Sequence, residues 1–179
     1  MSQNYKMIIQ YEGTRYDGWQ KQGNTENTIQ GKLEKVLARM TGFPVEVHGS
    51  GRTDAGVHAM GQVANFHLPD GWKPEESQNQ EKNQKNDWHK NGAHDRKQFA
   101  VADWIRDYCN QYLPDDIAVT ELTPASERFH ARLSAVKKIY TYQIETGVKR
   151  NVFSRRTCYG LGQPLNVKAM QKAADLLCG

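Results

Sequence analysis

Along the first 122 residues, short apolar runs suited to strands alternate with helix-spaced apolar stripes in one fixed order, and that order leaves few folds open. Met7 to Tyr11 is a short apolar run ending at Glu12-Gly13, which suits a first strand. A polar loop rich in Gly, Asn and Thr follows to Asn27. Ile29, Leu33, Val36, Leu37 and Met40 then recur at helical spacing. Asn27 or Thr28 can cap this helix, Gln30 stands at the capping-box position relative to Asn27, and Gly42 and Pro44 close it. Val45–His48 and Gln62–His67 read as two further strands. A second helix is predicted from about Gln98 to Leu113, with Phe99, Ala102, Ile105, Cys109 and Leu113 inward and Pro114 as its stop. Ile117–Leu122 is the fourth strand. The order β-α-β-β-α-β predicts an α+β domain over 1–122, a ferredoxin-like split βαβ with helices on one face of an antiparallel sheet.

After Pro124 a new strand, Lys138–Glu145, and a helix capped by Asn166 with Val167, Met170, Ala173, Ala174 and Leu177 begin a second unit, 123–179. One strand and one helix cannot make a domain by themselves, so the chain is expected to stop short of a complete second domain. Residues 70–97 differ in kind. Their charges alternate in sign and aliphatic side chains are almost absent, which predicts a mobile insertion anchored by Trp72 and Trp88.

Composition excludes little. The net charge of +4 permits a nucleic-acid partner without requiring one. Cys109, Cys158 and Cys178 are widely spaced, with neither a C-x-x-C pair nor a Cys/His cluster, so reduced thiols and no metal are expected. No apolar run reaches the roughly 20 residues of a membrane span, and Met1–Lys6 lacks a signal-peptide core, so a cytoplasmic protein is expected.

The stretch richest in chemistry is Gly49-Ser50-Gly51-Arg52-Thr53-Asp54-Ala55-Gly56-Val57-His58-Ala59. Its glycines permit tight turns and close approach to a ligand. In extended backbone, Arg52 and Asp54 share one side while Thr53 points away. An arginine there would offset the cost of desolvating the carboxylate in a partly buried cleft, which suits a nucleophile or general base. The residues alone fit better a glycine-rich surface turn in which Asp54 accepts backbone N–H bonds and Arg52 pairs on the surface.

Gly51-Arg52-Thr53-Asp54-Ala55-Gly56-Val57-His58-Ala59 resembles the signature of TruA-type tRNA pseudouridine synthases. Further motifs stand in the same order as in that family: Tyr16–Gln22, Thr28-Ile29-Gln30, Gly61–Phe66, Leu113–Ile117, Phe129–Arg132 and Lys138–Tyr142. The resemblance implies isomerisation of uridine to pseudouridine in the tRNA anticodon arm, at positions 38–40, without a cofactor. It makes Asp54 the catalytic residue, by nucleophilic attack or by proton abstraction from the ribose. It has Arg52 hold the flipped nucleotide and Tyr140 stack on the base. Arg132, Lys138, Arg155 and Arg156 belong to a basic cluster that would meet phosphates. His58 and His130 are expected to be structural hydrogen-bonding groups. The resemblance further implies tRNA as partner, a homodimer and a chain longer than this one. An RNA-binding module without chemistry is the alternative, although the aromatic RNP1 pattern is absent.

Overall fold

The computed structural model describes residues 2–74, 93–149 and 151–178. It divides into two compact units, Met1–Val136 and Lys137–Gly179. The first is an α+β unit in the expected element order: β1 (Ser2–Tyr11), α1 (Ile29–Thr41), β2 (Val47–Gly49), β3 (Ala59–Pro69), α2 (Ala93–Tyr112) and β4 (Ile117–Ala125). The strands lie in the order β2-β3-β1-β4, and every neighbouring pair is antiparallel. Helix α1 carries the chain from β1 to β2, and α2 from β3 to β4.

Alternation along β1 turns Tyr5, Met7, Ile9 and Tyr11 to one face, where they are buried against Leu33 and Leu37 of α1 and Ile105 and Cys109 of α2. Strand β4 breaks strict alternation. Its pairing with β1 slips between Ile8 and Ile9, which leaves Thr120 as an extra residue and lets both Val119 and Leu122 face the core. Both edge strands have backbone groups bonded to helix side chains. Asn110 donates to the Val119 carbonyl and accepts from its N–H, at 2.9 and 2.8 Å. On β2, Gln30 donates to the Val47 carbonyl (3.0 Å) and Glu34 accepts from its N–H (3.1 Å). Gln30 is thereby committed, so the expected capping box does not form. Thr28 caps α1 alone, accepting from the Gly31 N–H.

Helix α2 starts at Ala93, inside the stretch expected to be an insertion; residues 75–92, with Trp88, lie outside the described residues. Its inward stripe holds Ala102, Ile105, Cys109 and Leu113 as expected, but Phe99 is about half exposed. Six residues before Ile105, Phe99 has rotated off the stripe, and Val101 packs on the core instead. Trp72 does anchor the chain after β3. It begins a ladder of rings, Trp72–Trp104–Tyr108–Tyr112, which ends under the Arg39 guanidinium of α1, 4.1 Å from the Tyr112 ring.

The first unit runs past the break expected at 122–123 because two buried asparagines hold the next segment. Asn4 and Asn65 point to the face opposite the helices and are joined by a 3.1 Å hydrogen bond. Asn4 also donates to the carbonyls of Ser126 (2.9 Å) and Phe129 (2.8 Å), while Asn65 accepts from the Ala131 N–H (2.8 Å). Residues 126–131 are therefore fixed across the sheet, since leaving either amide unsatisfied in the interior is costly.

In the second unit, β5 (Ile144–Glu145) pairs parallel with β6 (Tyr159–Gly160), and Asn166 caps α3 (Val167–Leu177) through the Ala169 N–H. The strand expected over Lys138–Glu145 is reduced to its last two residues. A strand needs a neighbour to pair with, and among the described residues only Tyr159–Gly160 supply one. Helix α3 buries no residue. No described helix is long and apolar enough to cross a membrane.

Candidate active site

Three loops of the first unit interlock around residues 51–58. The turn Gly13–Arg15 follows β1, the segment Tyr16–Trp19 leads toward α1, and the signature loop lies between β2 and β3. Glycine is required where they touch. A Cβ on Gly13 would stand 1.9 Å from the Val57 carbonyl oxygen, and one on Gly18, whose φ is +92°, 2.6 Å from that of Thr53. The buried Trp19 ring lies flush on Gly49.

Hydrogen bonds join the same surfaces. Trp19 N–H donates to the Thr53 carbonyl (3.0 Å), Gly56 N–H to Tyr16 (3.3 Å), and Val57 N–H closes a turn on Asp54 (3.2 Å). Gln62 holds the Gly51 carbonyl at 2.7 Å. Inside, the Tyr11 hydroxyl and the Thr53 hydroxyl are 2.8 Å apart.

This framework turns Thr53 inward and leaves Arg52 and Asp54 exposed on the other side, the alternation expected of the sequence. The expected neighbouring of Arg52 and Asp54 in a partly buried cleft is not seen. Among the described residues no ion pair joins them, and the Asp54 carboxylate takes no hydrogen bond. The turn on Val57 uses Asp54's backbone carbonyl, and the residue is exposed. An open groove of about 690 Å³ lies elsewhere, between residues 21–26 and α1, lined by Lys21, Glu34 and Lys35.

His58 and His130 serve as hydrogen-bond acceptors. His58 Nδ1 accepts from the Gly13 N–H at 3.1 Å and lies 3.4 Å from a Glu12 carboxylate oxygen. His130 Nδ1 accepts from the N–H groups of Arg132 (3.2 Å) and Leu133 (3.4 Å), and its ring lies 5.1 Å from that of His48. Arg132 is exposed just beyond the segment that Asn65 fixes. Tyr140, Lys138, Arg155 and Arg156 belong to the second unit, where all four are exposed.

Sequence reasoning missed Tyr11, which ends the first apolar run, and the cluster of Arg15, Tyr16 and Asp116. Asp116 accepts from the Tyr16 hydroxyl and from Arg15 Nε (2.8 Å), binding the first loop to the connection between α2 and β4. The cue was present, since Tyr16 and Asp116 both stand in recurring motifs. Burial pushes the Asp116 carboxyl up, but the hydrogen bonds from Tyr16 and Arg15 and the guanidinium charge outweigh it and hold it below the usual value. Burial, then Asp116, push the Tyr16 phenol up, so it stays a donor.

A carboxylate favoured by folding contributes stability above its unfolded value of about 3.9, and the contribution is lost as pH falls through the lower folded value. Asp116→Asn is therefore expected to lower Tm by a few degrees at pH 7, with a smaller gap to the unsubstituted chain at pH 3. Thermal unfolding of both chains at the two pH values tests this; an equal gap at both contradicts it.

Comparison with known proteins agrees with the arrangement of motifs. A family model described as tRNA pseudouridine synthase matches residues 7–133. The chain is 42% identical over 176 residues to tRNA pseudouridine synthase A of Bacillus sp. (strain KSM-64), covering 98% of this chain and 61% of that protein. It is 42% identical to tRNA pseudouridine synthase A 2 of Bacillus cereus (strain ZK / E33L) and 41% identical to tRNA pseudouridine synthase A 1 of Clostridium tetani (strain Massachusetts / E88). In both cases it covers 98% of this chain and spans 60% of the relative's length.

Proposed function

Since the chain belongs to the tRNA pseudouridine synthase family, we propose that it isomerises uridine to pseudouridine in tRNA, with Asp54 as the catalytic residue. The observation that carries the reading is the signature loop itself. It is clamped through Gly13, Gly18 and Gly49, yet it presents an exposed carboxylate that no side chain among the described residues engages. A structural aspartate in such a turn would spend its oxygens on backbone N–H groups; Asp54 keeps both for a substrate.

The reaction breaks the bond from uracil N1 to ribose C1′, turns the base and forms a bond from C5 to C1′, with the C5 proton lost to water. Uracil is both leaving group and returning nucleophile, so the chemistry needs no metal or organic cofactor. Attack of Asp54 on C1′ and abstraction of a ribose proton both require a carboxylate oxygen open to the sugar. The base must first leave its stack, at a cost of a few kcal/mol. Arg52, exposed two residues before Asp54, would hold the extruded nucleotide and fill the space it leaves. Tyr140 would stack on the base, a contact of about 1–3 kcal/mol. Arg132, Lys138, Arg155 and Arg156 would meet phosphates and make binding salt-dependent.

The same reading assigns the first unit to the ferredoxin-like class and the second to part of a further domain of that kind. It places the protein in the cytoplasm as a homodimer acting on uridines 38–40 of the anticodon arm. Mapping pseudouridine at single-nucleotide resolution in an unmodified tRNA transcript tests the substrate assignment. Product is expected at uridines 38–40 and is expected to vanish from each position changed to cytidine. Product confined to another arm would overturn the assignment.

A further inference from the structure

We infer that Tyr11 is a positioning residue for Asp54, acting through the hydroxyl of Thr53. The inference rests on the reading of Asp54 as the catalytic residue. Tyr11 closes β1 just past an irregularity in the β1–β3 register, between Ile9 and Tyr11. Its ring is buried beside Trp19, with centroids 6.1 Å apart, and its hydroxyl meets Thr53 Oγ1 at 2.8 Å. Thr53 is the residue next to Asp54. Its carbonyl is already held by the Trp19 N–H, so the Tyr11 contact fixes its side chain as well as its backbone.

That second restraint matters because of what Asp54 lacks. Among the described residues its carboxylate has no hydrogen bond of its own, so its direction is set only through the backbone of residues 53–57. Backbone bonds at Trp19, Gly56 and Val57 fix where that turn sits, and Thr53 fixes how it is rolled. A buried phenol also needs a polar partner, so Tyr11 and Thr53 satisfy each other, and loss of either hydroxyl frees the other. Cys109 offers no such link, because it is buried in the helix-covered core, where burial pushes its thiol up to about 12.

The test uses Tyr11→Phe, which keeps the ring and its packing on Trp19, with Thr53→Val and Thr53→Ser as companions. Tyr11→Phe is expected to lower kcat for pseudouridine formation about tenfold with KM within twofold, the signature of a misplaced rather than an unbound substrate partner. Thr53→Val should reproduce the loss, the double variant should be no worse than either single one, and Thr53→Ser should recover most of it. In Tyr11→Phe, hydrogen exchange should quicken at the amides of Trp19, Gly56 and Val57 while Tm changes little. A kcat equal to that of the unsubstituted chain, or unchanged exchange at those amides, overturns the inference. Absence of product from every chain, the unsubstituted one included, would refute the functional reading instead. The exchange measurement would then still decide whether Tyr11 holds the loop.

Discussion

Asp54→Asn is expected to leave the fold intact and to reduce pseudouridine formation by on the order of 10⁴-fold or more, the scale of losing a central catalytic group. The two parts of that expectation come from the same geometry. Asp54 is exposed and makes no side-chain hydrogen bond among the described residues, so an isosteric amide removes no native contact, and Tm should stay within about a degree. The amide, however, has neither the charge to attack C1′ nor the basicity to take a ribose proton. Arg52→Lys should behave differently. It keeps a charge but loses the planar fork, and it should weaken tRNA binding more than it slows the chemical step.

Gly13→Ala should do the reverse, damaging structure first and activity through it. Its added methyl would lie 1.9 Å from the Val57 carbonyl oxygen and 2.6 Å from the carbonyl carbon, both backbone atoms that cannot rotate away. Either the Gly13–Arg15 turn or the 54–57 turn must move, breaking the Gly13 N–H to His58 bond and the Gly56 N–H to Tyr16 bond. The expected cost is about 3 kcal/mol, the upper part of the usual range for overpacking. For a unit of this size that is a fall in Tm of roughly 10 °C. Two controls separate the clash from other glycine effects. Gly23→Ala meets nothing within 4 Å and should be neutral. Gly56→Ala also meets nothing but carries a φ of +79°, so it should cost only the conformational penalty of about 1–2 kcal/mol. Equal losses at Gly13 and Gly56 would argue against the clamped-loop picture.

The parts of this molecule that were legible in its sequence are those written in local spacing. The stripe Ile29, Leu33, Val36 and Leu37 is buried in the structure, as are Ala102, Ile105, Cys109 and Leu113. Between them they oriented both helices on the sheet. What escaped depends on pairings distant in the chain. Asn4 stands before the expected first strand and Asn65 within an expected strand, and nothing local marks either as buried; they are buried because residues 126–131 return to cover them. Thr120 has no local mark of a bulge; the slip appears only when β4 pairs with β1.

Lys138, Tyr140 and Tyr142 alternate as a strand should, but alternation describes a face and supplies no neighbour. For the site, the glycines around Asp54 announced close approach without saying to what. Gly13, Gly18 and Trp19 are the other half of that contact, and they stand more than thirty residues earlier.

The account rests on one carboxylate, and the most direct measurement follows the hydrogen that the reaction must expel. A tRNA transcript labelled with tritium at uridine C5 releases label to water only when C5 becomes bonded to ribose. The chain and its Asp54→Asn variant, shown by thermal unfolding to be equally folded, are compared on that substrate. Release by the chain and none above background by the variant is the predicted result. Release that persists in the variant would contradict the role of Asp54, and release by neither would contradict the reading of this chain as an enzyme.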